Sequence, residues 1–198
     1  MQRVLFVRHG ESEFSVKALV NGDPAVAGPL TELGRQQAQQ LGERLAGEQI
    51  GLCVVTEFAR TRETADLVLA GRDVPRLVVP ELNDPFYGAF EGGSLAEYRA
   101  WAASHGPREA PPGGGETRVA IASRYVRGFR RVLERAEPTV LVVCHSLPIA
   151  YAVAAADGRS PRARMPLITY AEPHVLYADQ LERATERLEA WTREPVYG

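Results

Sequence analysis

Arg3-Val4-Leu5-Phe6-Val7 is a short apolar run that breaks at once into Arg8-His9-Gly10-Glu11. A run this short and this β-rich reads as a buried strand, and the glycine lets the backbone turn sharply and approach a ligand closely. The strand thus delivers a cation and an imidazole to the carboxyl edge of a sheet, where open α/β folds hold their ligands. The run from Thr139 to Val143 is the most hydrophobic in the chain, and it ends in Cys144-His145-Ser146. In a parallel sheet the carboxyl ends of strands share one edge, so His9 and His145 are expected to face each other across one pocket.

Between these runs the apolar pattern alternates between the strand and helix periods. A Gly- and Pro-rich loop occupies 12–29, and helix-period residues Leu33, Ala38, Leu41 and Leu45 follow Thr31, which predicts a helix over 31–46. The pattern then predicts a strand over 52–55, a helix over 58–70 and a strand over 77–79. Residues 83–115 form an irregular insertion with Pro85, Gly88, Gly92-Gly93, a short helix over 94–104 and the breaker run 111–115, and they read as a lid or binding loop. A long helix over 116–135 precedes the strand at 139–143. A helix over 148–155, a strand over 168–176 and a terminal helix over 179–191 complete the chain. The expected fold is α/β: a three-layer sandwich with a mostly parallel central sheet, helices on both faces and the lid inserted into a single domain spanning 1–198.

Composition narrows the function classes. The 198 residues suffice for one full core, and 45% apolar with 24% charged is ordinary for a soluble domain. A net charge of -2 and a pI near 6.1 exert no global pull on nucleic acid or anionic membrane, so neither partner is expected and any anion site must be a local pocket. Cys53 and Cys144 sit inside apolar runs, which suggests two free thiols and no disulfide framework. The chain enters its first strand by residue 3, and no apolar run approaches ~18 residues, so a cytoplasmic setting is expected. Oligomeric state is left open, a homodimer included.

The chemistry converges on phosphate. Arg8 precedes the first histidine, and Arg60 opens the helix that follows the strand at 52–55. Two guanidiniums and a helix N-terminus meeting at one point suit a doubly charged oxyanion, and phosphate matches the bidentate arginine fork best. No metal is expected, because His9, Glu11 and His145 lack a closed ligand spacing, and no cofactor is called for. Cys144 beside His145 offers a thiolate alternative, but it lies within a buried strand run.

These motifs resemble the histidine phosphatase superfamily, which includes the cofactor-dependent phosphoglycerate mutases. The resemblance rests on Arg8-His9-Gly10-Glu11-Ser12, Leu30-Thr31-Glu32-Leu33-Gly34 with Gln37-Ala38, and Ala59-Arg60-Thr61-Arg62-Glu63-Thr64-Ala65. It continues through Gly88-Ala89-Phe90-Glu91-Gly92, Gly115-Glu116-Thr117 and Val142-Val143-Cys144-His145, in the family's order. It implies that His9 is a nucleophile forming a phosphohistidine, with Arg8, Arg60 and His145 holding the phosphoryl oxygens. The general acid is a carboxylate four residues before Gly88, which is Asp84 where the family usually has Glu, with Glu81 as competitor. Ser15 stands where an asparagine often contacts phosphate, with Asn21 as a substitute, and Ser146 replaces a glycine after the second histidine and could add a phosphate contact. The insertion is shorter than in the glycolytic mutases, which favours water entry. The reading is a metal-independent phosphomonoester hydrolase acting on a small phosphorylated metabolite. A mutase of the same mechanism is the alternative, and a phosphate-binding module with little turnover is another.

Overall fold

The computed structural model describes all 198 residues. Its centre is the parallel pair of β1 (Arg3–Arg8) and β4 (Thr139–Cys144), within a five-stranded sheet ordered β3 (Arg76–Val78), β2 (Leu52–Val55), β4, β1, β5 (Pro173–Tyr177). Four strands are parallel, and β5 runs antiparallel against β1. Successive side chains alternate between the faces of each strand. Val4, Phe6, Leu52, Val54, Val140 and Val142 join one core, and Leu5, Val7, Cys53, Val55, Leu141 and Val143 join the other. Both faces are apolar because both are covered, as a parallel sheet requires.

The first face is covered by α5 (Arg118–Leu133), α6 (Ser146–Ala156) and α7 (Ala178–Arg193), the second by α2 (Glu32–Arg44) and α3 (Ala59–Val68). In α5 the buried residues Ile121, Ala122, Tyr125, Val126, Phe129 and Val132 recur at three- and four-residue spacing, the stripe of a surface helix. Helix α6 buries most of its residues because α7 packs on its outer side. The three-layer sandwich expected from the alternating pattern is the architecture observed.

Three local differences from that pattern have physical causes. A single helical turn, α1 (Glu13–Val16), interrupts the loop after β1. Helix α6 begins two residues before Pro148, since proline is tolerated in a first turn where the N–H has no helical partner anyway. Residues 168–172 are not a regular strand: the backbone of Ile168 is used by the Ser146 and Arg8 side chains, and Ala171 adopts a φ of 48°, so the last strand starts only at Pro173.

Residues 83–115 carry α4 (Leu95–Ser104) and pack on the 12–29 loop rather than on the sheet. Val20 N–H donates to the Gly93 carbonyl, Leu95 N–H to that of Ala18, and Gly22 N–H to the Glu91 carboxylate. Val20, Tyr87, Tyr98 and Ala102 make a small separate core there.

The strand-end turn is clamped from the side of α2 and α3. Gly10 N–H donates to Thr64 Oγ1 at 3.0 Å, and Glu11 N–H to Gln37 Oε1 at 2.9 Å. Thr31 caps α2 by accepting from Gly34 N–H, and its hydroxyl donates to the Glu11 carboxylate at 2.8 Å. Gly10 and Gly34 are backbone against backbone: a Cβ on Gly10 would run into the Gly34 carbonyl, and one on Gly34 into that of Glu11. The residues after β1 are therefore fixed relative to two helices before any ligand arrives. Gly10→Ala is expected to destabilise the fold by about 1–3 kcal/mol in urea denaturation, as overpacking does. Gly47→Ala, where a Cβ meets nothing within 4 Å, is expected to stay within about 0.5 kcal/mol of wild type.

Candidate active site

The register of β1 on β4 sets Arg8 opposite Cys144, so the next residues, His9 and His145, leave the sheet side by side. His9 N–H donates to the Cys144 carbonyl, and the imidazole centroids lie 5.4 Å apart at 69°. The turn after β2 adds Thr56, and the first turn of α3 adds Arg60. Above this edge lies a cavity of about 240 Å³, bounded by the 12–21 loop, the insertion and residues 163–170.

His9 is 3% exposed and held from both sides. Its Nδ1 lies 2.7 Å from the Gly10 carbonyl, which can only accept, so Nδ1 carries the proton. The lone pair is thereby placed on Nε2, where Arg60 Nε–H donates at 3.2 Å. Burial, with the charges of Arg60 and Arg8 nearby, holds the imidazole well below its ordinary value, so His9 is neutral at physiological pH. Neutral and single-tautomer, with its Nε2 lone pair met by the Arg60 donor alone, it has the form a nitrogen nucleophile needs.

Arg60 is the hub. Its guanidinium donates to Asn21 Oδ1 at 2.6 Å, to the Asn21 carbonyl at 3.1 Å and to Asp84 Oδ2 at 2.9 Å, and lies 4.1 Å over the Phe58 ring. Arg8 lies 3.8 Å over the Tyr170 ring and donates to the Ile168 carbonyl at 2.7 Å, while its buried Nε has no partner in the protein. A buried cation with an unused donor beside an open cavity is electrostatically primed for an anion.

His145 is completely buried and does not line the cavity. Its Nδ1 lies 3.2 Å from Asp84 Oδ2 and its Nε2 3.0 Å from the Thr56 hydroxyl, so Nδ1–H donates to the carboxylate and Nε2 accepts from Thr56. Burial pulls its pKa down to about 4 against the opposing pull of Asp84. Burial pushes the Asp84 carboxyl up, but the His145 ring and Arg60 outweigh it and hold the group below the usual carboxylate range. Asp84 is in turn aimed by Arg124 of α5, which donates to the Glu81 and Asn83 carbonyls at 3.0 and 2.9 Å and is itself paired with Glu116.

Of the residues singled out in the sequence, Arg8, His9, Ser15, Asn21, Arg60, Asp84 and Ser146 all line the cavity. Ser15 hydrogen-bonds Ser12, and Ser146 accepts from Ile168 N–H, leaving its hydroxyl proton uncommitted. Glu81 does not line the cavity; it pairs with Arg131 at 2.7 Å. The Cys144 thiol lies in the core, where burial pushes its pKa up and keeps it protonated. Sequence reasoning missed Thr56, Tyr170 and Arg124. Thr56 was findable as the residue leaving a strand at the same sheet edge, whereas nothing local marks the other two. No three His, Cys, Asp or Glu side chains gather at metal-ligand distance, and Arg8 and Arg60 bring positive charge to this edge.

A neutral imidazole, two guanidiniums and a carboxylate gathered on one sheet edge suit a phosphoryl group. The chain belongs to the histidine phosphatase superfamily (branch 1), whose family model matches residues 4–193. It is 31% identical over 170 residues to the adenosylcobalamin/alpha-ribazole phosphatase of Escherichia coli K12, covering 81% of this chain and 82% of that one. It is likewise 31% identical over 178 residues to a 2,3-bisphosphoglycerate-dependent phosphoglycerate mutase of Methylobacterium, covering 80% and 82%. Among solved structures, the alpha-ribazole phosphatase of Shigella flexneri superposes with a TM-score of 0.74 at 28% identity, over 87% of this chain and 89% of that one. A mycobacterial glucosyl-3-phosphoglycerate phosphatase in complex with VO3 gives 0.73 at 26%, over 89% and 92%.

The buried histidines make stability depend on pH. A histidine whose folded pKa is depressed binds fewer protons when folded, so stability is full above the unfolded value of about 6.5 and is lost as pH falls below it. For His145 that loss extends down to about pH 4. The melting temperature is expected to drop between pH 6.5 and 4, and the drop is expected to be shallower in His145→Gln.

Proposed function

We propose that the protein hydrolyses phosphomonoesters of small metabolites through a phosphohistidine on His9. One observation carries the reading: His9, with its tautomer set by the Gly10 carbonyl, lines one cavity together with the Arg8 and Arg60 guanidiniums, of which only Arg60 meets a carboxylate. An incoming phosphoryl group would take over the Arg60 donor now resting on Nε2, freeing the lone pair for attack. It would also take the place of Asp84 at His145 Nδ1 and on Arg60. Asp84 then loses the partners that hold its pKa down and gains a dianion as neighbour, and both changes raise it. Substrate binding thus lets the carboxylate take up a proton from solvent and serve as the acid.

As the Nε2–P bond forms and the ester P–O bond breaks, Asp84 gives its proton to the departing oxygen. The carboxylate so formed takes a proton from water as the water attacks phosphorus, and the Nε2–P bond breaks to release phosphate. Arg8 and Arg60 stabilise the equatorial oxygens in both steps. Asn21 serves chiefly by fixing Arg60, and the Ser15 and Ser146 hydroxyls are available to the phosphoryl oxygens. The mutases among the relatives favour a second reading, since a mutase uses the same intermediate and returns the phosphoryl group to a sugar acid. A cytoplasmic setting, which the two free buried thiols support, and a homodimer, to be tested by light scattering, belong to the same proposal.

Brief exposure to labelled substrate is expected to leave an acid-labile, base-stable phosphoryl group on wild type and none on His9→Ala, as read by peptide mapping. Label that persisted on His9→Ala would overturn the assignment, and conversion of 2- to 3-phosphoglycerate faster than hydrolysis would favour the mutase. A general acid matters most for a poor leaving group. Asp84→Asn is therefore expected to slow an alkyl phosphate on the order of 10²-fold or more while slowing p-nitrophenyl phosphate far less. Glu81→Gln is expected to slow both little and equally in steady-state assays.

A further inference from the structure

The outer half of the cavity is lined by charge that the phosphoryl chemistry does not use. Arg118, the first residue of α5, lines it although only 8% of the residue is exposed. Its buried Nε has no partner, its guanidinium makes a 3.5 Å contact with the Ala163 carbonyl and sits 5.5 Å from the face of Tyr98, and the neutral phenols of Tyr151 and Tyr197 lie beside it. Arg99 of α4 and Arg164 line the same cavity. None of the three is in an ion pair, whereas eleven of the other nineteen arginines are. They repel one another: burial lowers the Arg99 pKa, and the charges of Arg164 and Arg118 lower it further. The tyrosines around Arg118 outweigh its burial and keep it charged, yet no carboxylate neutralises it, so an anion entering the cavity would complete it.

We propose that these residues form a second anion subsite, with Arg118 at its base and Arg99 and Arg164 at its rim, so that the substrates are phosphomonoesters carrying another negative group. That group is a carboxylate or a second phosphate, since an arginine fork takes either in a bidentate way. The proposal rests on the phosphatase reading above and extends it: His9, Arg8 and Arg60 take the phosphoryl group to be cleaved, and Arg118 takes the charge on the body of the molecule. Placing the two sites in one cavity of about 240 Å³ favours a short body between the two charges. Arg99 and Arg164 also line an adjoining groove that holds Arg162, so the field that draws in a polyanion extends beyond the cavity mouth.

The test compares kcat/KM within two pairs that differ in one anionic group: 3-phosphoglycerate against glycerol 3-phosphate, and propane-1,3-diol bisphosphate against its monophosphate. Wild type is expected to prefer the charged member of at least one pair on the order of 10-fold or more, as charge-assisted hydrogen bonds allow. The pair that shows the preference identifies the group. Arg118→Gln is expected to bring that ratio close to one and Arg118→Lys to keep part of it, the ratio rather than the absolute rate being the readout. A wild-type ratio near one in both pairs, or an Arg118→Gln variant that slows both members equally, would overturn the subsite while leaving the phosphatase reading intact. Should Arg118→Gln fail to give a cooperative melt, the Arg99→Gln, Arg164→Gln double variant is expected to lower the ratio severalfold, and an unchanged ratio there would count against the subsite. If no ester were turned over at all, the phosphatase reading would fail, and the subsite would stand or fall on the same ratio measured as calorimetric affinities.

Discussion

The in-register pairing of β1 with β4 is the constraint on which the site depends. A parallel ladder is fixed along its whole length, and a slip of one residue would send every inward side chain to the opposite face. Because Val4, Phe6, Val140 and Val142 must reach one core and Leu5, Val7, Leu141 and Val143 the other, the register is set by burial of apolar surface. Placement of His9 beside His145 follows from that register. The energy that holds two imidazoles in position is thus mostly hydrophobic and comes from residues that never touch a substrate.

What the core cannot do is stabilise the charges that collect at its edge. Arg8 and Arg60 are kept near the pocket by backbone carbonyls, aromatic faces and a single buried carboxylate rather than by matched ion pairs. Such an arrangement leaves positive potential unspent, and an oxyanion completes it. Asp84 has two successive tasks in this economy of charge. It pairs with Arg60 and His145 in the structure, and in the proposed reaction it moves to the leaving oxygen when phosphate takes those partners.

The remaining motif residues act on geometry. Thr31, Gln37, Glu63 and Thr64 tie the turn after β1 and the 30–31 backbone to α2 and α3, and Glu91 ties the insertion to the 12–29 loop. Glu116 and Arg124 hold the 81–86 loop that carries Asp84. Each ties a loop connection by hydrogen bonds to helices, so the turn after β1 and the 81–86 loop are held in place without a ligand. The insertion contributes the other half of the cavity wall, Tyr87, Tyr98 and Arg99, and this is the half that differs in chemistry from a bare phosphate site.

The sequence by itself determined the alternation of strands and helices, the two-faced parallel sheet and the edge to which Arg8, His9, Arg60 and His145 go. Those properties follow from local periodicity and from the rule that parallel strands share their carboxyl ends, both visible in one dimension. Tertiary structure alone decided that Gly10 is required by a backbone meeting Gly34 on α2, and that His145 is sealed behind Asp84 rather than open to the pocket. It alone showed Glu81 turned away to Arg131, and Arg118 left buried with no carboxylate. Burial, partner choice and an unmet charge depend on which residues distant in the chain come within a few ångströms, and no spacing along the sequence encodes that distance.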